Sequence, residues 1–295
     1  MRLLLHRRAF VAGLSAFMLP LAARAATVPA AAIDAANARL VALEQEHGGR
    51  LGVAIGESGG NLTIAHRADE LFPMCSTFKF LAAAAILKRV DAGAEHLDRA
   101  IAYGQADLLS YAPIAKRHVA EGQMALGDLC AAAIQWSDNT AANLMLRELG
   151  GPSAITRFAR DVADRVTRLD RTEPTLNTAI PGDVRDTTSP AAMQRDLDAI
   201  LLDDRLSAAS RAQLETWMIG NQVAGKRLRA GLPPSWRIGD KTGTGDNGTA
   251  NTIAMIRPPS GTPILATVYY TGSSESPDVL NSVHAEIGRI IAQVF

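Results

Sequence analysis

The chain has 295 residues, 47% of them hydrophobic and 20% charged, with Lys+Arg and Asp+Glu balanced at 30 each. It is too polar for a membrane bundle and too apolar for a disordered chain, and its length suits one large domain or two modest ones at ~100–200 residues each. No cationic excess points to nucleic acid, and two cysteines allow one bridge at most, which excludes a disulfide scaffold.

In chain order, Arg2, Arg7 and Arg8 precede an apolar run from Ala9 to Leu21, and Ala23-Arg24-Ala25 supplies a small-residue cleavage site. Residues 1–25 therefore read as a signal peptide, cleaved before Ala26; the run is too short and too rich in Ala and Gly for a spanning helix. His6-Arg7-Arg8-Ala9-Phe10-Val11 also fits a twin-arginine leader, the alternative being a Sec leader with adjacent arginines. Both readings export the protein, to the periplasm or beyond. Cleavage removes Arg2, Arg7, Arg8 and Arg24 and no acidic residue, leaving 26 basic against 30 acidic side chains.

Ala30 to His47 then reads as a helix stopped by Gly48-Gly49. Leu51–Ile55 and Leu62–Ala65 read as a hairpin around Glu57-Ser58-Gly59-Gly60-Asn61. Helical patterning dominates from about 75 to 220, with helices over Phe80–Val90, Leu126–Trp136 and Thr140–Leu149. Strands return at Trp236–Lys241, Thr249–Arg257 and Ile264–Tyr270, before a last helix with Ser276 as N-cap and Pro277 at its first position. That order predicts an α/β fold: a five-stranded antiparallel sheet from both ends of the chain, flanked by the N- and C-terminal helices, with an all-α domain inserted. The division is 26–67 plus 219–295 for the α/β domain and 68–218 for the insert, with the ligand cleft between them.

Three motifs fail on context. Gly56-Glu57-Ser58-Gly59-Gly60 fits G-x-S-x-G, but strand follows strand where that elbow needs a helix. Gly243 to Gly248 fits the dinucleotide fingerprint, yet a strand follows it too. Gly220–Lys226 nearly matches a phosphate-binding loop, but Arg227 replaces the Ser or Thr that would bind Mg²⁺, and Ala212–Ile219 before it is helical. Six histidines without H-E-x-x-H, and no close cysteine pair, leave no metal site and no cofactor.

What remains is one constellation. Ser76-Thr77-Phe78-Lys79 lies where a stretch containing Pro73 turns into a helix, and positions i and i+3 share a helix face. The Ser76 hydroxyl and the Lys79 amine can therefore meet, with the free Ser76 N–H turned toward an oxyanion. Alone, S-x-x-K recurs about once by chance in such a chain. Ser137-Asp138-Asn139 breaks two helices and could be only a capping cluster. Lys241-Thr242-Gly243 could be only a strand end. Each tripeptide has a chance expectation of roughly 0.03–0.05, so all three in this order make coincidence a poor account.

Together these motifs resemble the signature of penicillin-recognising serine enzymes, and Ser137-Asp138-Asn139 in second place is similar to the class A serine β-lactamases. Arg171-Thr172-Glu173-Pro174-Thr175-Leu176-Asn177 matches that family's general-base loop, spanning about 168–186, with Asp186 placed to pair with Arg171. The resemblance runs from about Ala30 to the chain end. It implies hydrolysis of the β-lactam amide of penicillins and cephalosporins through an acyl-enzyme, and hence antibiotic resistance. Ser76 would be the nucleophile, and the Ser76 and Thr244 N–H groups the oxyanion hole. Ser137, beside Lys79 and Lys241, would protonate the leaving nitrogen, and Glu173 with Asn177 would activate the deacylating water. Asn139 would position the acylamino side chain, Lys241, Thr242, Gly243 and Thr244 would receive the carboxylate end, and Tyr111 would line the entrance. Whether Lys79 or Glu173 takes the first proton stays open.

Two departures stand out. The arginine that many members carry shortly after K-T-G is Ala250 here, and the guanidinium would come instead from Arg227, unless that residue belongs to an exposed basic run from Lys226 to Arg229. The family's common disulfide partner of Cys130 falls at Ala83, so Cys75 and Cys130 are expected as free thiols. The rival readings are a slowly deacylating penicillin-binding enzyme, against which the Glu173 loop argues, and a non-catalytic β-lactam sensor, which would need a membrane or partner segment to pass a signal on. Small-molecule substrates, no nucleic acid, no membrane association after cleavage and a monomer complete the expectation.

Overall fold

The computed structural model describes residues 28–259 and 261–295. The signal peptide read at 1–25, with its arginine pair, lies outside the described residues. In chain order the regular elements are α1 (Ala30–His47), β1 (Arg50–Glu57), β2 (Ile64–His66), β3 (Phe72–Pro73), α2 (Phe78–Asp91), β4 (Ala100–Ala102) and β5 (Gln123–Ala125). Then come α3 (Leu126–Gln135), α4 (Asn139–Leu149), α5 (Ser153–Asp161), β6 (Thr187–Thr188), α6 (Pro190–Leu201) and α7 (Ala208–Ile219). The chain closes with the short α8 (Leu228–Gly231), β7 (Arg237–Gly245), β8 (Thr249–Arg257), β9 (Ile264–Thr271) and α9 (Pro277–Val294).

Five strands form one sheet in the order β2-β1-β9-β8-β7, antiparallel at every pairing. Side chains alternate between its faces. From β8 and β9, Ala254, Ile256, Ala266 and Val268 pack with Leu40 and Leu43 of α1 and Val283, Ile287 and Ile291 of α9. Their neighbours Ile253, Met255, Leu265 and Tyr269 join the core of the helical block. Both faces are covered, which is why β8 and β9 read as near-continuous apolar runs. Within the block, α2 is buried at every position from Phe78 to Leu87, as a helix enclosed on all sides must be.

Three of the shifts in predicted boundaries have a clear physical reason. The second hairpin strand is Ile64–His66 rather than Leu62–Ala65, because the turn reaches further, with Thr63 N–H donating to the Ile55 carbonyl. The helix predicted from Phe80 starts at Phe78, extended by a 3₁₀ turn over Cys75–Thr77. Lys241-Thr242-Gly243 does not end its strand: β7 runs to Gly245, held by continuous pairing to β8 in which Thr244 faces Ala250. Cross-strand pairing here outweighs the low strand preference of two glycines.

Candidate active site

Where the helical block meets β7, a cavity of about 340 Å³ is lined by Ser76, Tyr111, Ser137, Asn139, Asn177, Val223, Arg227, Thr242 and Thr244. All but Val223 are residues that the sequence singles out. Lys79, Glu173 and Lys241 are buried behind it, in contact with Ser76 and Ser137 of its lining. Gly243 lies in the same strand, where its missing side chain matters: a Cβ would stand 2.9 Å from the Met74 carbonyl oxygen.

Ser76 sits in the 3₁₀ turn ahead of α2, after Cys75 at φ +45°. Ser137 has φ +56°. Cys75 and Ser137 thus occupy the left-handed region that costs a non-glycine residue about 1–3 kcal/mol, and such strain persists only where the surroundings enforce it. Around Ser137 the enforcement is Asp138. Its buried carboxylate caps α4 by accepting from Ala141 N–H at 2.8 Å, and it also accepts from Ile114 and Ala115 N–H at 2.9 Å each. The capping reading of Ser137-Asp138-Asn139 thus holds for Asp138, while Ser137 and Asn139 on either side of it line the cavity.

The polar groups converge on one carboxylate. Ser76 Oγ donates to Glu173 Oε1 at 3.2 Å, and Lys79 Nζ lies 2.9 Å from the same oxygen. Lys79 also donates to the Ser137 carbonyl at 2.8 Å and Asn139 Oδ1 at 2.7 Å, and stands 3.5 Å from Ser137 Oγ. From the other side, Lys241 Nζ donates to Ser137 Oγ at 3.0 Å. Burial pushes the Lys79 ammonium below the usual lysine range, against the pull of Glu173. Lys241 is driven well below it, by burial first and then by the charge of Lys79. One serine hydroxyl therefore stands between two amines disposed to give up a proton.

Glu173 hangs in a loop pinned at three points. Asp186 accepts from the Arg171 guanidinium and from Asp170 and Arg171 N–H, closing the loop as the sequence implies. Asn177 Nδ2 donates to Glu173 Oε2. The third pin, Asn143 on α4, was missed: its side chain accepts from Glu173 N–H and donates to the Glu173 carbonyl, both at 2.9 Å. The available signal was its place four residues after Asn139, on the same helix face.

Arg227 is no surface arginine. It is 8% exposed, and its guanidinium donates to the Gly243 and Asn251 carbonyls at 2.8 and 2.6 Å, to Thr244 Oγ1 at 2.7 Å and to Asn281 Oδ1 at 2.9 Å. Burial draws it down to about 10, which still leaves it charged at neutral pH. Its charge lies beneath Thr244, which pairs with Ala250 across the β7–β8 ladder, and among the described residues no other guanidinium lines the cavity. Tyr111 stays half exposed at the rim, its hydroxyl donating to the Trp136 carbonyl at 3.1 Å and its own carbonyl accepting from Asn139 N–H. Cys75 and Cys130 are both buried and unbridged, on the turn that carries Ser76 and on α3.

Chemically, the cavity offers a hydroxyl with a carboxylate acceptor, a second hydroxyl between two amines, and a cationic end that suits a carboxylate. Residues 35–295 match the profile of the beta-lactamase enzyme family. The chain is 47% identical over 277 residues to Beta-lactamase CTX-M-97 of Escherichia coli, covering 94% of each chain. It is 46% identical over 263 residues to Beta-lactamase OXY-2 of Klebsiella oxytoca, covering 89% of this chain and 90% of the relative. Among solved structures, an ancestral class A β-lactamase superposes with a TM-score of 0.86 at 55% identity, over 88% of this chain and all of the other.

Proposed function

Since the chain belongs to the beta-lactamase enzyme family and is a class A serine β-lactamase that hydrolyses β-lactams, we propose that Ser76 is its nucleophile, with Lys79, Ser137 and Glu173 as the proton-handling residues. The observation carrying this is the shared Glu173 oxygen, 3.2 Å from Ser76 Oγ and 2.9 Å from Lys79 Nζ. The direct serine–carboxylate contact favours Glu173 over Lys79 as acceptor of the first proton. Ser76 Oγ bonds to the lactam carbonyl carbon, and the Ser76 and Thr244 N–H groups bind the oxyanion, each donor of this kind contributing about 3–4 kcal/mol. As the C–N bond breaks, Ser137 protonates the nitrogen and is itself reprotonated from Lys79, which takes the first proton back from Glu173, 2.9 Å away, and leaves that carboxylate free to act as a base again.

The acyl-enzyme is an ester on Ser76. Glu173, oriented by Asn177 and Asn143, takes a proton from the water that attacks it and returns one to Ser76 Oγ. Lys241, Thr242, Gly243, Thr244 and Arg227 hold the substrate carboxylate, Asn139 the acylamino group, and Tyr111 and Val223 the two sides of the opening. Penicillins and cephalosporins are the substrate classes. The same reading places the protein outside the cytoplasm, exported by the leader at residues 1–25, as a monomer working without metal or cofactor. The division of the chain into 26–67 plus 219–295 and 68–218 places the catalytic cavity at the seam.

The test is a stopped-flow trace with a chromogenic cephalosporin, followed by intact mass. Turnover far beyond one equivalent is expected. A single-equivalent burst with a stable adduct on Ser76 would instead identify a penicillin-binding enzyme or sensor, and would remove Glu173 from deacylation.

A further inference from the structure

Asn251 on β8 is fully buried, and its side chain crosses from the sheet to the turn that carries Ser76. The amide Nδ2 donates to the Pro73 carbonyl at 2.8 Å and to the Met74 carbonyl at 3.0 Å, and Oδ1 accepts from Tyr270 N–H at 3.3 Å. Its orientation is unambiguous, because reversing it would set the amide oxygen against two carbonyls. Met74 is the residue before the strained Cys75, and its carbonyl also accepts from Thr77 N–H and Thr77 Oγ1. On the opposite side, Met74 N–H donates to the Asp186 carbonyl at 2.9 Å.

The main chain of Asn251 serves the other half of the site. It pairs with Gly243 across the β7–β8 ladder, and its carbonyl accepts from Arg227 Nη1. One residue thus links the nucleophile turn by its side chain to the strand and arginine of the carboxylate end by its backbone. We propose that Asn251 is a positioning residue that fixes the Ser76 N–H relative to the Thr244 N–H, and so sets the width of the oxyanion hole. This rests on the assignment of Ser76 and Thr244 above.

A hole of the wrong width weakens both tetrahedral intermediates, so acylation and deacylation slow together. A loosened Glu173 loop would slow deacylation alone, and a merely structural residue would lower the fraction of active enzyme without changing the rate constants. The experiment compares Asn251→Ala, Asn251→Ser and Asn251→Asp with the parent, each normalised to the sites that a chromogenic cephalosporin acylates. Both rate constants should fall about tenfold or more in every variant that can be acylated. In a Glu173→Gln background that traps the ester, its infrared carbonyl stretch should move to higher wavenumber when Asn251→Ala is added, reporting lost polarisation. Asn251→Ser is the mildest truncation and carries the measurement where Asn251→Ala aggregates. Unchanged rate constants per site together with an unmoved carbonyl band would overturn the proposal. Ser76→Ala run in parallel separates the two levels: turnover there would defeat the underlying assignment, whatever the Asn251 variants do.

Discussion

Two buried amines flank a single hydroxyl at the centre of the proposed site. Lys79 and Lys241 approach Ser137 Oγ at 3.5 and 3.0 Å, and burial moves both toward the neutral form. Their mutual repulsion eases whenever either donates a proton, which suits a relay to a departing nitrogen. Ser76→Ala should fold normally and lose turnover by at least about 10³-fold; covalent labelling of that variant by a β-lactam would sink the nucleophile assignment. Glu173→Ala should slow deacylation more than acylation, so that intact mass shows an accumulating adduct. Continued hydrolysis without an adduct would exclude Glu173 as the deacylating base. Arg227 shows where residue type stops informing. Lys226 beside it pairs with Asp278 on an exposed surface, whereas Arg227 turns inward under Thr244. Nothing in the run Lys226-Arg227-Leu228-Arg229 distinguishes the two, because the difference lies in partners on β7, β8 and α9.

Among elements, the Glu173 loop depends most on its supports. Beyond Asn143 and the Arg171–Asp186 pair, Asp246 N–H donates to the Asn177 carbonyl at 2.8 Å, tying the loop to the β7–β8 turn. A pair of carboxyls flanks the loop in sequence, Asp164 before it and Asp196 after it. Asp196 on α6 is 1% exposed and faces the charge of Asp164, whose carboxylate accepts from Val166 and Thr167 N–H. Burial, then the charge of Asp164, hold the Asp196 carboxyl well above the ordinary 3.8. A raised carboxyl contributes stability in full below the unfolded-state value and loses it as pH climbs through the folded value. Asp196→Asn, neutral at every pH, should therefore raise Tm by a few degrees at pH 8 and by less at pH 4. An equal change in Tm at both values in a thermal melt would show that Asp196 does not titrate in the fold. Legibility followed coverage. Thr249–Arg257 matched residue for residue because both faces of β8 are buried, whereas the two-residue strands β3 and β6 carry too short a pattern to be read.

At the scale of the molecule, the sheet separates two cores, one under α1 and α9 and one within the helical block, with Ser76 on the helical side. Leu40 of α1 is fully buried in the first. Leu40→Ala should cost about 2–5 kcal/mol of stability while leaving kcat per acylable site unchanged, a separation that denaturant titration and burst titration together would check. A fall in both would mean that the far face communicates with the cavity. The sequence by itself determined the chemistry: a hydroxyl and an amine three residues apart, Ser137-Asp138-Asn139, a strand with Lys241, and a loop with Glu173 name the reaction, because functional groups and short spacings are local properties. It also determined the antiparallel sheet made from both chain ends, since strand and helix periodicities are local too. Only the tertiary structure decided which polar residues turn inward and what they hold. Ser76 meets Glu173 across 97 residues, and Asn251 meets Met74 across 177. Asn143, Asn251 and Arg227 acquire their partners only in the folded chain, from segments tens of residues away or more, since burial and hydrogen-bond geometry depend on neighbours that the local pattern does not name.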